Sequence, residues 1–160
     1  MRHSIEPTEV VYLWFYLKLS KNWSWTNKPY GPHLLHFMTT ENNKYHGPAA
    51  SHLTLYIEPV NGKWHWVQVM FKPNSLDRTN DRPNHDGELR GWVDGKPVIE
   101  RTDVVFRSTD FPKLKFIQFM MLPYFHDGVR HDQTLWIDEL AVGAKRIGAN
   151  LRPGRRPGEQ

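Results

Sequence analysis

The chain has 160 residues, 39% of them apolar and 24% charged, which suits one globular domain and excludes a disordered chain. No run approaches the ~20 apolar residues a membrane-spanning helix needs, and the opening residues MRHSIEPTEV lack the apolar core of a secretory signal. With no cysteine, disulfide scaffolds and thiolate metal sites are excluded. The net charge of +4 has a location: five of the 21 basic residues and one of the 17 acidic ones fall in residues 145–160. The rest of the chain is balanced, without the basic body expected of a nucleic-acid binder. The segment RPGRRPGEQ is too rich in Pro, Gly and Arg to form a core. The expected organisation is one domain over residues 1–148 and a flexible basic tail over 149–160.

In chain order, Val10 to Leu19 (VVYLWFYLKL) alternates with period two, as a strand does. Val11, Leu13, Phe15, Leu17 and Leu19 share one face. Tyr12, Trp14, Tyr16 and Lys18 share the other. A loop rich in Trp, Asn, Pro and Gly follows, then a short strand from His33 to Met38 and a second polar loop to Pro48. Ser51 to Glu58 alternates again, and Asn61-Gly62 reads as a hairpin turn joining it to a strand from Lys63 to Lys72. There, Trp64, Trp66, Gln68 and Met70 lie on one face. Pro73 to Asp86 reads as the longest loop.

Glu88 to Val93, Asp94-Gly95 and Lys96 to Glu100 form a second expected hairpin, followed by a short edge strand from Arg101 to Arg107. Leu114 to Leu122 (LKFIQFMML) is apolar on both faces, as a central strand covered on both sides would be. Asp127-Gly128 marks a turn, and Gln133 to Val142 is the last strand. About nine strands and no amphipathic helix predict an all-β, antiparallel sandwich or barrel.

The stretch DGELRGWVDGKPVIERTDVVFR, Asp86 to Arg107, resembles a hairpin and strand of concanavalin A-like jelly-roll polysaccharide lyases, the glucuronan and alginate lyase group. The matching residues are Asp86, Gly87, Arg90, Trp92, Asp94, Gly95, Val98, Val105, Phe106 and Arg107. Gly62 to Asn74, Asp132 to Gly148 and Glu9 to Trp25 resemble the preceding, closing and early strands of that family, in the same order. The family has further strands ahead of the early one, so the chain reads as lacking them, as a minimal member or as a piece of a longer protein. Where the family often carries Arg on the cleft side of the early strand, Trp14 stands.

The resemblance implies β-elimination on an acidic, uronic-acid-containing glycan, and an extracellular setting. That chemistry needs a group to hold the uronate carboxylate while the enolate develops. It also needs a base for the neighbouring C–H proton and an acid for the leaving oxygen. Gln68 or Gln118 would hold the carboxylate, and Tyr124, His36 or His126 would act as base and acid. Tyr12, Trp14, Tyr16, Trp66 and Arg90 would bind the sugars, with Arg90 also placed to stack on Trp92. The same fold also serves non-catalytic carbohydrate-binding modules and structural or surface proteins. No cofactor is required. Asp77, Asp81 and Asp86 with Asp132 or Asp138 supply oxygen ligands for a structural Ca²⁺, without a ligand-loop spacing. No pair of carboxylates on one strand matches the glycoside-hydrolase arrangement. Oligomeric state has no signal here.

Overall fold

The computed structural model describes residues 2–24, 33–39, 51–55, 61–124, 128–129 and 131–146; for 33–39, 51–55 and 122–124 the description covers the backbone. These residues form eleven strands, nine of five residues or more, and no helix. The long strands are β1 (Arg2–Thr8), β2 (Val11–Leu19), β3 (His33–Thr39), β4 (Ser51–Leu55), β5 (Trp64–Lys72), β8 (Gly87–Val93), β9 (Lys96–Val104), β10 (Phe116–Tyr124) and β11 (Leu135–Gly143). The two-residue strands β6 (Leu76–Asp77) and β7 (Arg82–Pro83) pair with each other. One antiparallel sheet has the order β1-β10-β3-β4, the other β11-β2-β5-β8-β9. This is a β-sandwich of the jelly-roll type.

The core lies between the two sheets. The odd residues of β2, from Val11 to Leu19, are fully buried there with Val67, Val69 and Phe71 of β5 and Phe116 and Phe119 of β10. Register does the sorting: Val11 faces Phe71, Leu13 faces Val69 and Phe15 faces Val67. Because side chains alternate with period two, this register turns the even residues of β2 and β5 to the outer face. The expected division of β2 into two faces therefore holds.

Several elements differ from the sequence reading. β1 has no apolar alternation (RHSIEPT), yet it pairs with β10 along the edge of the four-stranded sheet. Its backbone hydrogen bonds, not its side chains, make it a strand, and those carry no sequence signature. The Asn61-Gly62 hairpin does not exist. β4 pairs with β3 in one sheet, whereas β5 lies between β2 and β8 in the other. Asn61 and Gly62 do form a turn, with Gly62 at φ +77°. That turn is tied to the end of β2: the Gly62 amide donates to the Leu19 carbonyl and Asn61 Nδ2 to the Trp23 carbonyl, both at 2.8 Å. Turn chemistry sets a local reversal, but the pairing partner is chosen by long-range packing. The two expected strands after Gly95 are one continuous edge strand, β9, and the long loop from Pro73 carries the β6–β7 ribbon.

The Asp94-Gly95 hairpin is present. Both residues have positive φ, +51° and +77°, as a two-residue turn of this hand requires. β10 is an inner strand, as its apolar faces predicted.

Candidate functional site

The residues that carry the family resemblance mostly build the frame. Asn74 is fully buried. Its Oδ1 accepts from the Phe106 and Arg107 amides, both at 2.8 Å, and its Nδ2 donates to the Arg107 and Ser75 carbonyls. The Arg107 guanidinium returns to the Asn74 carbonyl at 2.7 Å and to Glu9 at 3.2 Å. Asp86 accepts from the amide and hydroxyl of Ser75, each at 2.7 Å, which hold its carboxyl below the usual range, the hydroxyl foremost. Asp94 accepts from the Trp66 amide at 2.9 Å and meets His65 Nδ1 at 2.7 Å. At Gly87 a Cβ would stand 2.4 Å from the Val104 carbonyl oxygen, so only glycine fits.

The outer face of the five-stranded sheet is different in character. One row across it runs Ala141, Trp14, Gln68 and Trp92. The next holds Asp138, Tyr16 and Trp66, and the one beyond it Trp136, Lys18 and Trp64. The rings touch: Trp14 meets Tyr16 edge-on at 5.2 Å between centroids, and Trp66 at 6.4 Å. From Trp14 to Lys18 the track follows β2 for four residues, about 14 Å. Trp14 is 2% exposed although it lies on an outer face. Among the described residues the indole N–H groups of Trp14 and Trp66 are buried without an acceptor.

The two ends of this face differ in charge. At one end Lys72 pairs with Glu88 at 2.8 Å, and Arg90 bridges Glu88 at 3.0 Å and Glu100 at 3.2 Å. The Glu88 hydrogen bond raises the Lys72 pKa, and the reciprocal bond lowers that of Glu88. Arg90 is thus committed to two carboxylates, and the expected stacking on Trp92 does not occur. Trp92 is covered instead by Arg146, whose guanidinium carbon lies 5.2 Å from the ring centroid. Arg146 follows β11 at the far side of the sheet, so its segment reaches across β2 and β5. At the other end Lys18 lies between Trp64 and Trp136, its ammonium 5.9 and 5.4 Å from the ring centroids.

Of the ten residues expected at a site, the structure gathers Tyr12, Trp14, Tyr16, Trp66, Gln68 and Arg90 on this one face. Gln68 lies beneath it, 1% exposed and already engaged within the protein. Three of the other four are placed elsewhere. Gln118 lies in β10 of the opposite sheet, 3% exposed and also engaged. His36 occupies a position in β3 opposite Met120 and Thr54, and Tyr124 ends β10 opposite His33. His126 lies outside the described residues. The separation follows from the topology: β3 and β10 are neighbours in the four-stranded sheet, and the sandwich core stands between them and Gln68. Lys18, Trp64, Trp136 and Arg146 were not named as site residues from sequence, although the period-two alternation already placed Lys18 beside Tyr16 and Trp64 beside Trp66.

Among the described residues no three His, Asp or Glu side chains converge as metal ligands. The Asp77 carboxylate is taken up by Asn80 and the Thr79 amide, with Arg82 at 3.4 Å. Asp86 is held by Ser75 as described above.

No family model and no curated protein matches this sequence. Solved structures do match. An alginate lyase bound to an alginate trisaccharide aligns with a TM-score of 0.63 at 13% identity, over 91% of this chain and 74% of that one. The endo-β-1,4-glucuronan lyase of the fungus Trichoderma reesei aligns at 0.58 and 20% identity, over 91% and 76%. An alginate lyase from Chlorella virus aligns at 0.60 and 12% identity, over 86% and 72%. The chain has the jelly-roll fold of polysaccharide lyases. At these identities the likeness is one of fold, and the chemistry rests on the residues of this jelly roll itself.

Proposed function

We propose that this protein binds an acidic, uronic-acid-containing glycan along the outer face of the five-stranded sheet and cleaves it by β-elimination. The observation that carries the reading is the continuous aromatic track from Trp14 to Lys18 and its partner strands, with cations set into it. Aromatic rings stack on the apolar faces of sugar rings, and cations offset the uronate charge. Solved proteins of like fold include alginate and glucuronan lyases, which act on polymers of this class.

Tyr16, between Trp14 and Trp66 on the track, is the residue we assign to proton transfer. Its side-chain oxygen takes the proton from the carbon next to the carboxylate. The electron pair forms the C=C bond as the C–O bond to the leaving sugar breaks. Tyr16 then returns that proton to the leaving oxygen, so base and acid are one group and no water is consumed. The assay is the ultraviolet absorbance of the unsaturated uronate end, on glucuronan, alginate and pectate. The expected result is a rising signal on at least one polymer. Absence of signal on all three would sink the catalytic reading.

A second reading, a non-catalytic glycan-binding module, is favoured by a specific observation. Gln68 is covered, and Gln118 and the positions of His36 and Tyr124 lie in the other sheet. Binding to the same polymers without an absorbance change would establish it.

A further inference from the structure

Lys18 differs from Lys72 and Arg90, the two cations on the strands at the other end of the outer face. Lys72 and Arg90 are each within 3.2 Å of a carboxylate. No carboxylate among the described residues lies within ion-pair distance of Lys18. Its partners are two indole rings instead, one from each neighbouring strand, because Trp136 and Trp64 stand opposite it in the register. The two rings hold a long and otherwise mobile side chain in one place through cation–π contact. That contact does not cancel the positive charge, as a carboxylate would. Trp136 is 42% exposed, a large apolar ring left partly in water at the rim of the track.

We propose that Trp64, Lys18 and Trp136 form a subsite for one uronate residue of the glycan, with the ammonium of Lys18 receiving its carboxylate and the exposed ring of Trp136 stacking on its pyranose face. This rests on the acidic-glycan reading above and adds to it the position at which charge is recognised. The opposite end of the face is closed to this role. Lys72 and Arg90 are neutralised there by Glu88 and Glu100, and the Trp92 ring is covered by Arg146, so that end offers no open ring beside a cation. An acidic chain on the track is therefore read for charge at the Lys18 end and for ring shape along Tyr16 and Trp66, with the buried Trp14 ring behind them.

The experiment compares glucuronan oligomers with the same oligomers after chemical reduction of their carboxylates, titrated against the full chain by tryptophan fluorescence. Lys18→Met keeps the apolar stem between the rings and removes the charge. It is expected to weaken glucuronan binding roughly tenfold, the value of one charged hydrogen bond, and to leave the reduced oligomer unaffected. Lys18→Arg is expected to retain most of the affinity. Trp136→Ala, at a half-exposed position that tolerates truncation, is expected to weaken both ligands. An unchanged affinity of Lys18→Met for glucuronan, or an equal loss on both ligands, overturns the subsite while leaving the glycan reading in place. Should Lys18→Met not fold, unchanged binding of both ligands by Trp136→Ala overturns the subsite in the same way. Wild-type protein that binds no uronate polymer overturns the reading beneath it as well.

Discussion

Asn74 is a single buried side chain that hydrogen-bonds the backbone of its neighbour Ser75 and of Phe106 and Arg107 in a distant segment. It accepts two amide protons and donates to two carbonyls. Removing it strands the buried Arg107 amide and carbonyl and the half-buried Phe106 amide, at about 1–3 kcal/mol for each group left unsatisfied. Asn74→Ala is therefore expected to lower unfolding free energy by about 3 kcal/mol or more, read as a shift in denaturant midpoint. Tyr16 is a residue of the opposite kind. Its ring packs edge-on against Trp14, and its hydroxyl is the part that the proposed elimination uses. Tyr16→Phe is expected to keep the fold and keep glycan affinity within about twofold. Its elimination rate is expected to fall by ~100-fold or more, as loss of a general acid–base group does. A rate unchanged by this variant would remove Tyr16 from the chemistry. At this scale the sequence was informative about residue type and face. Gln68 and Gln118 looked alike, as amides inside apolar strands, because burial within a sheet cannot be assigned to one sheet or another from periodicity.

At the scale of elements, the β8–β9 hairpin is where local sequence and tertiary contact agree. Asp94 and Gly95 adopt the positive φ values that the turn requires, and the Asp94 carboxylate caps the Trp66 amide of the neighbouring β5. The start of β8 is more constrained. Gly87 lies against the Val104 carbonyl and the Asn74 amide, so Gly87→Ala must push backbone against backbone. An overpacked site of this kind costs about 1–3 kcal/mol. The expected result is a lowered melting temperature with no gain from the reduced backbone entropy that alanine otherwise brings. A variant as stable as the parent would contradict that geometry. β11 shows an element that periodicity described only in part. Glu139 has φ +50°, and the register slips by one residue between Asp138 and Ala141. This bulge turns the strand so that Trp136 and Ala141 both reach the outer face on either side of it.

The whole molecule carries a charge ledger that bears on pH. Glu88 is held below its ordinary pKa by Lys72, Asp86 by Ser75 and Asp77 by Asn80. Each folded-state pKa lies under its unfolded value of ~4. The stability they contribute is complete above that value and is lost as pH falls through the folded-state values. A plateau in melting temperature down to about pH 5, with a decline below about pH 4, is the expected profile. Lys72 acts in the reverse sense. Its raised pKa contributes at all pH values below ~10 and is lost as pH rises through the folded value. Glu88→Gln is expected to flatten the acid limb, which a pH series of thermal melts would resolve.

What the sequence determined by itself was everything that depends on near neighbours. Period-two alternation settled which residues of β2 and β5 face the core, and Asp94-Gly95 settled a turn. The run of period-two segments without an amphipathic helix settled the all-β class, and motif order pointed to the jelly roll. The tertiary structure alone decided which strands pair, and so which faces coincide. It separated β4 from β5 despite the turn between them, placed Gln118 away from Gln68, and brought Trp136 from the last strand beside Lys18 from an early one. The physical reason is that strand pairing is chosen by the collective burial of two sheet faces. Residues more than a hundred positions apart contribute to that burial, and no local window contains their partners.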